Sequence, residues 1–155
     1  MEIPHSTFTL ERRFPASVER VFQAWANPEA RRRWMAQGAD HSQNFVVGGF
    51  ETVKGFDGEG RALTYEARYA EIVLNERILT TSTLRAEDRL STVSVTSVEF
   101  RAEDADTRVV LTEHGIYLPG QEQPEWREHG TAQQLDTLAA ELAVGADAQE
   151  ERGAR

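Results

Sequence analysis

Glu113-His114 sets a carboxylate beside an imidazole, the usual partners in general acid–base chemistry. The pair falls in an alternating run, however, and neighbouring strand residues point to opposite faces, so without a bulge the two cannot serve one pocket. It therefore reads as a polar pair on a strand. The histidines His5, His41, His114 and His129 show no His-x-x-x-His spacing, and the chain has no cysteine, so neither a metal site nor a bound cofactor is expected. Arg12 is a charge at an apolar parity, sharing its face with Phe8, Leu10 and Phe14, while Glu113 shares a face with Val109 and Leu111. Thr80, Ser82, Thr92, Ser94 and Thr96 place hydroxyls on two successive strands, where they either line an interior or face solvent as good strand formers. Trp25, Trp34, Tyr65, Tyr69 and Trp126 are large aromatics that first of all fill a core; Trp34 and Tyr69 are the ones expected to touch a ligand. Arg31-Arg32-Arg33 reads as a solvated helix face and is given no role.

The elements that must position these residues are legible. The alternation of Phe8, Leu10, Arg12 and Phe14 predicts a first strand. Ser17 can cap a short helix carrying Val18, Val21, Phe22 and Trp25, and Asn27 can cap a second with Pro28 at its first position. Phe45-Val46-Val47-Gly48-Gly49-Phe50 reads as a strand, a glycine turn and a second strand. Phe56-Asp57-Gly58-Glu59-Gly60 is a turn before a long strand whose inward residues Leu63, Tyr65, Ala67 and Tyr69 give way to Ile72 and Leu74. Such a change of parity predicts a bulge. Asn75-Glu76 makes the next turn, and strands follow over 77–84, 90–101 and 107–114. Pro124 opens a last helix, to about Ala143, with Glu128, Thr131, Leu135, Leu138 and Leu142 on one stripe and Trp126 near it. Residues 145–155 lack large apolar side chains and are expected to fray, leaving one domain over 1–144.

Composition narrows the function. In 155 residues, 17 Lys and Arg stand against 26 Asp and Glu for a net charge of −9, which opposes binding to nucleic acid or to anionic membrane surfaces. No run of about 18 apolar residues and no basic-then-apolar leader occurs, so a cytoplasmic protein is expected. One strand, two short helices, about six strands and a long helix predict an α+β protein with helices on one side of an antiparallel sheet.

The run Arg12-Arg13-Phe14-Pro15-Ala16-Ser17-Val18-Glu19-Arg20-Val21-Phe22 resembles the opening of the helix-grip domains of the START-like (SRPBCC) superfamily, in the branch related to activators of the Hsp90 ATPase. Phe45 to Gly49, Tyr65 to Tyr69, Leu111 to Gly115 and Arg127 to Leu138 resemble the same branch in the same order. The resemblance spans roughly residues 8 to 143. It implies a curved sheet of about seven strands gripping the last helix over a cavity. Two positions depart from the pattern: many relatives have Pro at Ser17 and Gly-Trp at Gly130-Thr131, and loss of that indole either opens space or leaves it to Tyr65, Tyr69 or Trp126. In such a sheet the first and last strands are neighbours, so Arg12 and Glu113 are expected to pair inside, as a structural ion pair or as an anchor for a ligand head group.

Three functions are compatible with these features. The favoured one is a binding protein that takes a small hydrophobic or amphipathic molecule into a cavity of roughly 300–1,000 Å³. Trp34, Tyr65, Tyr69, Arg12, Glu113, Trp126, Thr131 and Leu135 are its candidate ligand-binding residues. The second is an enzyme resembling polyketide cyclases and aromatases, which would need Tyr65, Tyr69, Arg12 or Glu113 aligned within the pocket and for which no catalytic residue is assigned. The third is a co-chaperone that stimulates a partner's ATPase; relatives with that activity carry an additional docking domain for which this chain is expected to have no room. A homodimer is compatible with all three.

Overall fold

The computed structural model describes residues 2–153, with side chains described to residue 144. Strand β1 (His5–Phe14) leads into α1 (Val18–Ala26), whose N-cap Ser17 accepts the Arg20 amide through Oγ at 3.2 Å. Asn27 closes α1 and caps α2 (Pro28–Arg31), its Oδ1 accepting the amides of Glu29 and Ala30 at 3.0 and 3.1 Å. The chain then widens into a π-helical turn over Arg32–Ala36 and reverses at Gln37, at φ 43°.

The strands β2 (Asp40–Gln43), β3 (Phe50–Phe56), β4 (Ala62–Val73), β5 (Arg77–Ala86), β6 (Arg89–Glu103) and β7 (Asp106–Tyr117) complete a seven-stranded antiparallel sheet in the order β1-β7-β6-β5-β4-β3-β2. The helix α3 (Pro124–Gly153) follows. This is the α+β helix-grip architecture. The bulge expected on the long strand is present: Tyr69 pairs with Thr80 but Glu71 with Leu79, so both Tyr69 and Ile72 turn to the helix side of the sheet. The strand expected at Phe45–Val47 is not. The hairpin partner of β3 is Asp40–Gln43, and residues 44–49 form a tight loop in which the Val46 amide donates to Asn44 O and the Gly49 amide to Val46 O. Phe45 leaves the strand direction to pack edge-on against Phe22 and Tyr69, while Val46 and Val47 are exposed. Burial of one ring outweighs continuation of a ladder here.

The inner face of the sheet is a set of cross-strand rows. Leu111, Val98 and Ile78 form one; Glu113, Thr96, Thr80 and Tyr69 the next; Ser94, Ser82, Ala67 and Glu51 a third. Large apolar groups fill the end under α1, where Trp25 and Phe22 meet Phe100 edge-on at 5.2 and 5.1 Å. Leu135, Leu138 and Leu142 of α3 are buried against this core, as the stripe predicts. The helix α3 continues past the end expected near Ala143, so the backbone of the expected frayed tail is helical as far as Gly153; side chains beyond residue 144 fall outside the described residues. Among the described residues no helix is long and apolar enough to cross a membrane.

Candidate functional site

Where the rows run out of large side chains, a pocket of about 290 Å³ remains between the sheet, α3 and the π-helical turn. Trp34, Tyr65, Tyr69, Glu113, Trp126, Thr131 and Leu135, all named from the sequence, line it. Trp34 is locked: its indole N–H donates to Ala24 O at 2.8 Å and its ring meets Trp25 edge-on at 4.7 Å. Tyr69 accepts a hydrogen bond from Gln43 Nε2 at 2.7 Å. Trp126 is 64% exposed and stands at the mouth. At Gly130 a Cβ would meet nothing within 4 Å, and Thr131 turns its hydroxyl back to donate to Arg127 O at 2.9 Å, so this stretch of helix leaves space rather than filling it. A second, more open depression of about 570 Å³ lies beyond Met35, Gly130 and Gln134, which it shares with the first.

Two buried ion pairs bound the pocket. On one side Arg31 reaches Glu51 through Nε and Nη2 at 2.8 and 2.9 Å, and His41 Nε2 lies 2.9 Å from the same carboxylate. Glu51 is 1% exposed. Burial alone would push its carboxyl up, but the charge of Arg31 and the hydrogen bonds from His41 and Arg31 prevail and hold it at about 2, against an ordinary 4.5. On the other side Arg127 donates from Nε to Glu113 at 2.9 Å, Thr96 donates to the second Glu113 oxygen at 2.8 Å, and Glu122 lies 3.5 Å from Arg127 Nη1. Burial raises the Glu122 carboxyl, with Arg127 opposing. Burial, with Glu51 adding, also raises the Tyr65 phenol. The Tyr117 phenol is pushed up to about 12 by burial and by Glu113.

Glu113 is thus inward, but Arg12 is not its partner. Arg12 stands opposite Val109 and Glu113 opposite Phe8, four residues away along each strand, or about 13 Å. Arg12 instead lies 3.7 Å from Asp136 on the outer part of α3, both of them accessible, and takes no part in the pocket. Arg31, read as part of a solvated face, is the opposite case: it is buried against Glu51 and its guanidinium lies 4.8 Å over the Trp34 ring. Arg127, Glu51, His41 and Glu122 were also missed. Arg127 was within reach, because it precedes Thr131 and Leu135 on the helix by four and eight residues and so shares their face. His114 points away from Glu113 and bonds Thr7 Oγ1 at 2.6 Å, so the acid–base pair is split across the sheet. Among the described residues no three His, Cys, Asp or Glu side chains are grouped to hold a metal ion. What converges on the pocket is an aromatic wall, two neutralised guanidinium groups and a few hydroxyls. That set can shelter an apolar body and hydrogen-bond a polar edge.

The comparisons agree with this architecture. A protein from Rhizobium leguminosarum is 35% identical, with a TM-score of 0.87, over 92% of this chain and 97% of its own. The protein Mll3558 from Rhizobium loti is 36% identical, with a TM-score of 0.85, over 91% and 99%. DynU16, from the dynemicin biosynthetic locus, shares the fold at 16% identity and a TM-score of 0.68, over 92% of this chain and 49% of its own. No curated protein matches the chain. The model of the family described as "Activator of Hsp90 ATPase homolog 1-like protein" matches residues 15–143, and with the seven-stranded sheet gripping α3 this places the chain in that family.

Proposed function

We propose that this protein binds a small, largely apolar, amphipathic molecule in the pocket between the sheet and α3. The observation that carries the proposal is the 290 Å³ of unfilled space beside a well-packed core, walled by Trp25, Trp34, Tyr65 and Tyr69 and left open by Gly130 and Thr131. Interiors are ordinarily close-packed, and a void of this size forfeits dispersion contacts on every wall. An apolar guest restores them, and the aromatic wall offers broad faces for it. The polar groups at the rim would set its orientation.

Native mass spectrometry on protein purified without denaturation tests this. A retained molecule of a few hundred daltons is expected, lost from a Thr131→Trp variant whose indole occupies the same space. A bound mass that survives that substitution would place the ligand elsewhere. Absence of any retained molecule, together with no affinity for added apolar aromatics, would overturn the proposal.

A further inference from the structure

Resting on the binding role above, we infer that the ligand is uncharged and that its polar end is a hydroxyl, carbonyl or ether oxygen, because the guanidinium groups at the pocket are already paired while several hydroxyls in and beside it are not. Arg31 spends two donors on Glu51, and Arg127 spends one on Glu113 while Glu122 lies beside it. The pairs are buried: side-chain exposures are 12% and 1% for Arg31 and Glu51, and 13% and 7% for Arg127 and Glu113. A ligand carboxylate would have to displace one of these carboxylates from its guanidinium, and an ammonium would have to displace a guanidinium. Either exchange strands a charge in a largely apolar enclosure, which costs far more than the new contact returns.

The neutral groups present the opposite situation. Tyr65 and Thr80 line the pocket and bring two hydroxyls to it. Beside the lining residues, Ser82, Thr92 and Ser94 are each less than 5% exposed, and their hydroxyl oxygens have no partner. Ser82 faces Ser94 across β5 and β6, flanked along the strands by the lining residues Thr80, Leu84 and Thr96. Buried hydroxyls are normally hydrogen-bonded. Apart from Glu122 Oε2, the buried side-chain atoms without a partner among the described residues are neutral, and the three hydroxyls lie beside the lining residues of β5 and β6. Glu122 is the carboxylate that shares its guanidinium: its Oε2 lies 3.5 Å from Arg127 Nη1 and makes no hydrogen bond, so it is free to accept from a ligand hydroxyl.

Isothermal titration of the full chain at neutral pH with 2-naphthol, 2-naphthoate, (2-naphthyl)methylammonium and naphthalene decides the question. 2-Naphthol is expected to bind at least about tenfold more tightly than either ion, and about threefold to tenfold more tightly than naphthalene, the worth of one net hydrogen bond. An ion that binds as well as naphthol overturns the inference and leaves the binding role standing. Failure of all four probes to bind overturns the inference and, where native mass spectrometry also finds no retained molecule, the binding role with it. A second readout uses Glu113→Gln and, independently, Glu51→Gln, with folding checked by circular dichroism. Each frees a guanidinium, so the ratio of naphthoate to naphthol affinity should rise at least about tenfold. If folded variants leave the ratio unchanged, the paired charges do not govern ligand choice and the inference fails. Thr80→Val should reduce the advantage of naphthol over naphthalene.

Discussion

At the scale of single residues, charge burial separates arginines that look alike in the sequence. Arg127→Met would leave Glu113 buried without its guanidinium, and a loss of about 3–5 kcal/mol is expected in urea denaturation, partly recovered when Glu113→Leu is added. Arg12→Met should cost no more than about 1 kcal/mol, because its partner Asp136 is 72% exposed. Glu51 sets an acid limit. Its carboxyl is held at about 2 in the folded protein against an ordinary 4.5, so its contribution is complete above the higher value and is lost as pH falls toward the lower. The step should be about 3 kcal/mol in unfolding free energy measured against pH, and absent from Glu51→Gln. Glu122 has the opposite sign: its raised carboxyl favours the folded state at low pH and loses that advantage as pH rises. Residue parity identified Glu113 as inward. It could not identify the partner, since Arg127 comes from a helix whose placement over β7 is a tertiary fact.

At the scale of elements, local chemistry carried most of the information. Ser17, Asn27 and Pro28 mark the short helices because their side chains and ring act within one turn, and the shift of parity after Tyr69 marks the bulge because alternation is a property of the strand itself. The loop 44–49 escaped the same logic: its apolar residues look like a strand, but Phe45 is drawn into the core. Gly49 holds that loop, since a Cβ there would lie 2.2 Å from Asn44 O, so Gly49→Ala should cost about 2 kcal/mol or more. Gly130, in the interior of α3 with open space beside it, should behave oppositely, and Gly130→Ala is expected to stabilise by about 0.5–1 kcal/mol. Leu138→Ala, at a fully buried position where α3 meets the core, should cost about 2–5 kcal/mol. Thermal or chemical melts of the three variants check these signs.

At the scale of the molecule, the pocket exists because the helix face and the sheet face fail to fill each other at one end. Leu135, Leu138 and Leu142 close α3 onto the core, while Gly130 and Thr131 leave the N-terminal part of the same helix standing off small residues such as Thr80 and Thr96. Thr131→Trp should therefore weaken 2-naphthol binding by at least about tenfold, read by titration, while leaving the unfolding midpoint near that of the wild type. Substitutions at Arg12, outside the pocket, should leave that affinity unaltered.

The sequence by itself determined the order of elements, the faces of β1 and β4, the apolar stripe of α3 and the exclusion of thiolate chemistry, because each follows from residues adjacent or periodic along the chain. Only the tertiary structure decided which charges meet. A register offset of four residues separates Arg12 from Glu113, burial on the sheet's inner face selects Arg31 from a triplet of arginines, and α3 delivers Arg127 across the sheet. Ion pairs of this kind join residues 14 to 20 positions apart through turns and crossings whose geometry no local pattern encodes. The pocket is likewise a remainder, the space left when all side chains have packed, and a remainder is a property of the whole.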